Sequence, residues 1–390
     1  MKVQQRMRST LSIPMPGISS LKQLELYLRK NPDLAIASLF ALITAIAVPS
    51  SAEQLVGSIN APLLATLFCL MAIIAGFRRG GVLTYAYGRL FSGSVSARRL
   101  VRFFVFSCFF FSMAVTNDVS LIIFVPLAIT VLSAAGMENK LLFVLTFQTI
   151  AANMGSILTP IGNPQNLFVY SYYQMSLPEF LAITGPLTVF SGLLLWGITY
   201  YIPKTVVTVP GGEKPTMGWK KGVIFAALFG ICILSVLRLI TPLTMFLIVC
   251  PVLLYADRDV FRDVDYKLLL LFIFLFIGVG NIGRLPVMMT GPAQLLQGHE
   301  FILSLVLSQV LSNVPTVVLL APYTNAAREL LLGVNVGGLG TIIASMASII
   351  SFKAYMGTAH CRPLQYLAFF TGANVLFLAA VLVMEAVIMQ

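Results

Sequence analysis

Apolar stretches long enough to cross a bilayer recur along the whole chain, and they constrain its fold more than any other feature. The runs lie at about 34–49, 60–77, 100–133, 141–175, 180–202, 222–238, 242–256, 267–283, 301–327, 330–352 and 364–388. About 20 apolar residues span the hydrocarbon core as a helix, which satisfies its own backbone hydrogen bonds where no water can. Of the 390 residues, 58% are hydrophobic and 10% charged; a soluble domain has about 45–50% and about 25%. Too few polar side chains remain to clothe a soluble surface, which excludes a cytosolic enzyme and a nucleic-acid binder. The expected fold is an all-α polytopic membrane protein. Cys69, Cys108, Cys232, Cys250 and Cys361 show no metal or redox spacing and read as small buried hydrophobes. Residues 1–33 are polar and basic, with no cleavable signal; Leu21, Leu24 and Leu28 predict a short interfacial helix over 21–30.

Lysine and arginine set the orientation. With the N-terminus cytoplasmic, 22 of the 25 Lys and Arg fall on the inner side, and Arg238, Arg284 and Arg328 fall outside. This split requires the 100–133 and 293–329 regions each to enter and leave on one side, as re-entrant hairpins of opposite sense. Each carries a polar knot at its middle, Thr116-Asn117-Asp118 in one and Ser312-Asn313-Val314-Pro315 in the other. Counted so, the chain has about nine transmembrane helices.

The two halves repeat a pattern. After each hairpin comes Asn-x-Gly, at Asn153-Met154-Gly155 and at Asn335-Val336-Gly337, inside long uncharged stretches. The first continues to Thr159-Pro160-Ile161-Gly162-Asn163-Pro164-Gln165-Asn166 and the second to Gly338-Leu339-Gly340-Thr341. Two prolines and a glycine break a helix, and broken helices at matching places in inverted halves mark a transporter's binding region. The expected organisation is an N-terminal segment over 1–33, a first half over 34–202, a cytoplasmic linker over 203–221 and a second half over 222–390. The broken helices lie at about 141–175 and 330–352. Packing between helices is the plainer role for Asn, Ser and Gly in a membrane, but it does not account for their order recurring in both halves.

At these residues the chain resembles the ion transporter superfamily, which includes divalent-anion/sodium symporters, arsenite permeases and some sodium/proton antiporters. The carrying segments are TNDVSLIIFVPLAI (116–129), ANMGSILTPIGNPQN (152–166), SNVPTVVLLAPYT (312–324) and NVGGLGTIIAS (335–345). The likeness is greatest to the short bacterial anion-permease branch. It implies two tips and two broken helices around substrate and coupling ions, a homodimer and an elevator-like motion. Asn117 and Asn313 match the central Asn of the symporters' Ser-Asn-Thr tips, and Thr116 and Ser312 match the Ser. Asp118 and Val314 replace the Thr, which removes the paired threonines that the resemblance would assign to a di- or tricarboxylate. Gly162, Asn163, Pro164 and Asn166 match the first break; Gly337, Gly338, Gly340 and Thr341 match the second loosely.

The expected substrate ligands are therefore Asn117, Asn163, Pro164, Gln165, Asn166, Ser312, Asn313 and Thr341. The expected cation or coupling residues are Thr116, Asn117, Asp118, Asn153, Gly162, Asn313, Asn335, Gly337 and Gly340, with Na⁺ at Asn117, Gly162, Asn313 and Gly340. Asp118 is a proton carrier, a cation ligand, or a cap on a half-helix starting near Val119. With no central Arg or Lys evident, either an anion is held by helix N-termini, neutral amides and a co-bound cation, or the substrate is neutral, such as arsenous acid. Gly278-Val279-Gly280-Asn281-Ile282-Gly283 fits a dinucleotide fingerprint only by letter. His299 and His360 fall at predicted loops, and Asp257, Asp259, Asp263 and Asp265 read as a solvated face. The expected function is transport of a small anion or oxyanion across the plasma membrane, driven by Na⁺ or H⁺ and needing no cofactor. A cation/proton antiporter exchanging at Asp118 is the rival. A channel and an intramembrane enzyme are disfavoured, the first by the paired breaks and the second by the lack of a nucleophile–base pair.

Overall fold

The computed structural model describes Tyr27 and residues 31–79, 93–209, 219–359 and 361–388. The interfacial helix expected over 21–30 lies outside the described residues apart from Tyr27, as does His360. What is described is almost entirely helical. Three helices open the chain: α1 (Pro32–Ala47), α2 (Ala52–Gly57) and α3 (Ala61–Arg79). A first hairpin follows, α4 (Ala97–Ala114) and α5 (Asn117–Ala134), then α6 (Leu141–Ser156), α7 (Pro164–Tyr172) and α8 (Leu177–Ile198). The second part runs α9 (Trp219–Val236), α10 (Pro242–Asp257), α11 (Tyr266–Ile282) and α12 (Pro286–Leu296). It ends with α13 (Glu300–Leu311), α14 (Asn313–Leu320), α15 (Ala327–Val336), α16 (Met346–Met356) and α17 (Pro363–Ile388).

Among the described residues, four helices are long and apolar enough to cross a membrane: Ala61–Arg79, Asn117–Ala134, Leu177–Tyr201 and Pro363–Val387. The segments Pro242–Asp263 and Tyr266–Ile282 pass the same test as a pair bent by 77°. Other apolar helices, such as Pro32–Ala47 and Glu300–Leu311, are shorter. Glu300–Leu311 is short because a new helix start at Asn313 divides the second hairpin, as one at Asn117 divides the first; Pro164 and Pro242 sit in the first turns of α7 and α10.

The hairpin arms are antiparallel. Ser120 Oγ donates to the Cys108 carbonyl at 3.1 Å, and Gln148 Nε2 on α6 reaches the carbonyls of Phe104 and Phe124, one on each arm, at 3.4 and 3.2 Å. The second hairpin is shorter than expected. A turn at Gly298, with φ +78°, separates α12 from α13, so the hairpin begins at Glu300 and not near 293. Its second arm gives way to a 3-10 turn at Ala321–Tyr323, where Pro322 cannot donate to a helix, whereas α5 continues through Pro126.

Two apolar cores form. One packs α4, α5 and α6 with Tyr366, Phe370, Phe377 and Val381 of α17. The other joins α1, α3, α9, α10 and α11 to α7, α14 and α15. The halves interlock: α7 packs on α14 and α15, and α16 packs on α5 and α6. Part of the expected linker is a strand. β1 (Gly93–Ser96) pairs antiparallel with β2 (Val206–Val209), Ser94 opposite Thr208. Residues 210–218 lie outside the described residues, and 219–221 already belong to α9.

One sequence reading changes here. The aspartates of the 257–263 turn are not a free solvated face. Asp263 pairs with Arg78 and Arg79 at 3.2 Å each, and Asp257 pairs with Lys221 at 3.2 Å. The two arginines end α3, where the helix dipole and the carboxylates both favour a cation. The glycine-rich run at 278–283 serves close packing. A Cβ on Gly278 would meet the Phe40 ring at 2.3 Å, and one on Gly280 would meet Ser58 Oγ at 2.4 Å.

Candidate functional site

The site is built from two tips and two breaks. At the first tip, Val115 and Thr116 are extended and α5 begins at Asn117. Thr116 Oγ1 caps the helix by accepting from the Val119 amide at 3.5 Å, so the cap that is one alternative for Asp118 is supplied by Thr116. Asn117 Oδ1 accepts from the Asp118 amide at 2.9 Å, which aims its Nδ2 at Asn153 Oδ1, 3.0 Å away. The Asp118 carboxylate makes no ion pair among the described residues and lines the cavity described below. The second tip differs. Ser312 has φ +71° and ψ 162°, a conformation that costs a non-glycine residue about 1–3 kcal/mol, and it makes no side-chain cap.

Each break is held by one amide side chain. Asn166 Nδ2 donates to the carbonyls of Ser156, Ile157 and Thr159 at 3.1–3.2 Å. In the other half, Gln309 Nε2 donates to the Gly337 and Leu339 carbonyls at 2.7 and 2.9 Å, and its Oε1 accepts from the Thr341 amide at 3.0 Å. Gly340 is at φ +111°, and a Cβ there would collide with Gln309 Oε1. Gly162 is equally confined, with the Ser156 carbonyl 2.1 Å from where a Cβ would stand. Removing the Gln309 side chain leaves two buried carbonyls and an amide unpaired. Gln309→Ala is expected to cost about 1–3 kcal/mol, read as a lower thermal unfolding midpoint in detergent than that of Gln309→Asn.

The same contacts recur in both halves. Thr159 Oγ1 donates to the Met113 carbonyl at 2.5 Å, and Thr341 Oγ1 to the Gln309 carbonyl at 3.1 Å. Met113 and Gln309 each lie four residues before the tip Asn. One residue earlier, Ser112 and Ser308 leave no room for a Cβ on Gly155 and Gly337. Across the halves, Asn163 Nδ2 donates to Asn335 Oδ1 at 3.4 Å, and Ser345 Oγ donates to Asn153 Oδ1 at 3.2 Å. Asn163 and Ser345 are each the residue before a second half-helix and each stand ten residues after the Asn of Asn-x-Gly. Asn335 also accepts from Gln165 at 3.4 Å and donates to Asn166 Oδ1 at 2.7 Å.

A cavity of about 840 Å³ opens beside this network. Its lining includes Thr116 and Asp118 of the first tip, Ser312 and Val314 of the second, Asn163 and Pro164 at the start of α7, and Met346 at the start of α16. The first turns of four half-helices therefore face one space. The walls beyond are mostly apolar, and Arg78, Arg262, Lys267 and Lys353 also line it, together with Asp33, Asp263 and Asp265. Of the residues expected at the site, Thr116, Asp118, Asn163, Pro164 and Ser312 line this cavity. Asn117, Asn153, Gln165, Asn166 and Asn335 form the buried amide network behind it. Asn313 lies against Gly338, while Gly337, Gly340 and Thr341 are set in the second break around Gln309. Asn163 Oδ1 is buried and has no hydrogen-bond partner among the described residues. Among the described residues, no group of three His, Cys, Asp or Glu could hold a metal ion.

Sequence reasoning missed Gln309, Ser345, Ser112 and Ser308. Ser345 and the two serines were within reach of the spacing argument, since each sits at the offset of a partner in the other half. Gln309 had no such signal, because its counterpart is Met113.

Apolar helices, two hairpins and two interrupted helices around a polar-floored cavity place the chain among multi-pass membrane transporters. A model of the citrate transporter family (CitMHS), part of the ion transporter superfamily, matches residues 27–350, and the chain belongs to that family. It is 32% identical over 293 residues to Uncharacterized transporter MJ0456 of Methanocaldococcus jannaschii, covering 75% of this chain and 80% of that one. It is 31% identical over 312 residues to Inner membrane protein YbiR of Escherichia coli, covering 78% and 83%.

Proposed function

We propose that the protein is a secondary active transporter that moves a small anion or oxyanion across the plasma membrane by alternating access, coupled to Na⁺ or H⁺. The convergence of four half-helix N-termini on one cavity carries this reading. Each N-terminus carries a partial charge of about +0.5, so together they offer on the order of two positive charges to an anion, although at α5 the Asp118 and Val119 amides are already held by Asn117 and Thr116. That outweighs the Asp118 carboxylate, the one acid at either tip; of the other acids lining the cavity, Asp33 is paired with Lys267 and Asp263 with Arg78, and Asp265 caps α11. The coupling cation has two candidate ligands: the Asp118 carboxylate and the unpartnered Asn163 Oδ1. The carbonyls at the breaks already accept amide hydrogen bonds, which makes them weaker candidates than the sequence alone implied.

In this reading, residues 34–202 and 222–390 are inverted halves with re-entrant hairpins, working as a homodimer in the bilayer. By the distribution of Lys and Arg, the cavity opens to the cytoplasm. Thiol labelling checks the topology: a cysteine at the exposed Asn139 is expected to react from the cytoplasm, and one at the exposed Gln297 from outside. Either one reacting solely from the opposite face sinks the inverted-hairpin arrangement. The exposure of Asp118 to the cavity supports a second reading, cation/proton exchange at this carboxylate. Proteoliposomes under imposed Na⁺ and H⁺ gradients separate the two. Uptake from a panel of citrate, arsenite, sulfate and small monocarboxylates that depends on a gradient supports anion transport. Cation/proton exchange that ignores every anion supports the second reading, and gradient-insensitive flux at channel rates counts against both.

A further inference from the structure

Four cations line the cavity, and three are already paired. Arg78 meets Asp263 at 3.2 Å, Arg262 meets Asp259 at 3.0 Å, and Lys267 meets Asp33 at 2.6 Å. Lys353 has no carboxylate within ion-pair distance among the described residues, and it is exposed. It stands in the last turn of α16, the helix whose first turn faces the binding region. Met346, Ile349, Ile350 and Lys353 all line the cavity. Spaced by three, one and three residues, they form one face of α16, running about 10 Å from the second break to the Lys353 ammonium's helical turn. Behind this face, α16 packs on α5 and α6, so Lys353 shares a body with Asp118 and the first tip. The paired cations belong to other elements: α3, α11 and the turn between α10 and α11.

We infer that Lys353 is the docking point where a substrate anion first pairs with the protein before moving along α16 to the helix N-termini. This rests on the anion-transport reading. A paired arginine offers an entering anion little, because its charge is already met by a carboxylate. An unpaired ammonium at one end of a mostly apolar wall raises the local concentration of anions at that end. Two bland roles compete: an inner-side charge that orients the chain, and a cation favoured by the helix C-terminus. Neither requires the ammonium to act on an anion that has entered the cavity.

The test needs no knowledge of the substrate. Full-length protein carrying Ile349→Cys, one turn inward from Lys353, is treated in detergent with an anionic reagent, 2-sulfonatoethyl methanethiosulfonate. A parallel sample receives the cationic 2-(trimethylammonium)ethyl methanethiosulfonate. Rates are read by mass spectrometry of the peptide containing residue 349, so native cysteines do not interfere. Adding Lys353→Gln is expected to lower the anionic-to-cationic rate ratio about five-fold at low salt, since a unit charge at this range acts on both reagents in opposite senses. Lys353→Arg is expected to keep the ratio, and 1 M salt to abolish the difference. A ratio unchanged by Lys353→Gln overturns the inference while leaving the transport reading intact. Failure of that reading shows separately, as wild-type proteoliposomes that move no anion under either gradient.

Discussion

Asp118→Asn is expected to leave the protein folded and to remove the dependence of substrate flux on the driving cation. The substitution keeps side-chain size and hydrogen-bonding capacity while deleting the charge. Thr116 caps α5, so the helix keeps its cap and loses only the favourable position of an acid in its first turn, about 0.3–1 kcal/mol. The consequence for transport is larger. If the carboxylate carries one coupling charge per cycle, losing it removes a drive of about 2.3 kcal/mol at 100 mV. Steady-state accumulation at that potential then falls roughly 50-fold. Accumulation is measured in proteoliposomes at a clamped potential, across a pH series at fixed Na⁺ and a Na⁺ series at fixed pH. Loss of the pH dependence alone identifies a proton carrier. A large rise in the Na⁺ needed for half-maximal flux identifies a cation ligand. Unchanged dependence on both would sink the coupling role.

The parts of this site that were legible in the sequence are those marked by punctuation. Thr116-Asn117 and Ser312-Asn313 interrupt apolar runs, and in the structure α5 and α14 start at the two asparagines. Pro160, Gly162 and Pro164 forbid a continuous helix, and the chain leaves α6 at Ser156 and resumes at Pro164. Partners were less legible. A membrane helix is apolar on most faces, so periodicity says little about which face meets which neighbour. Nothing in the local sequence of Asn335 indicates that Asn163, Gln165 and Asn166 of the other half surround it. The acidic 257–263 turn misled for a related reason: alternating charges look solvated until Arg78 and Arg79, distant in sequence, are brought beside them. The length of α14 was hidden as well, because Pro126 and Pro322 occupy matching positions. The first is absorbed within a long helix, whereas the second is followed by Tyr323 and Thr324 in a turn.

Asn335→Ala is expected to damage the protein more than any single change at a tip. Its side chain joins the halves: Oδ1 accepts from Asn163 and Gln165, and Nδ2 donates to Asn166 Oδ1 and to the Leu331 carbonyl. Alanine leaves Asn166 Oδ1 and two amide donors without partners in a buried place, each worth about 1–3 kcal/mol. Shared partners make these terms less than additive, so a total of about 3–5 kcal/mol is expected, read as a lower unfolding midpoint in lipid nanodiscs. Asn166 also holds the carbonyls of the first break, so slack at Asn335 passes to the N-terminus of α7, which lines the cavity. Flux should accordingly fall even in the fraction that remains folded. The double variant Asn335→Ala/Asn163→Ala separates this from general loosening. If the two side chains act through one hydrogen bond, their effects on stability should fall short of additivity by about 0.5–3 kcal/mol. Strict additivity, with near-normal flux per folded molecule, would reduce the network to helix packing and move the origin of substrate recognition back to the tips alone.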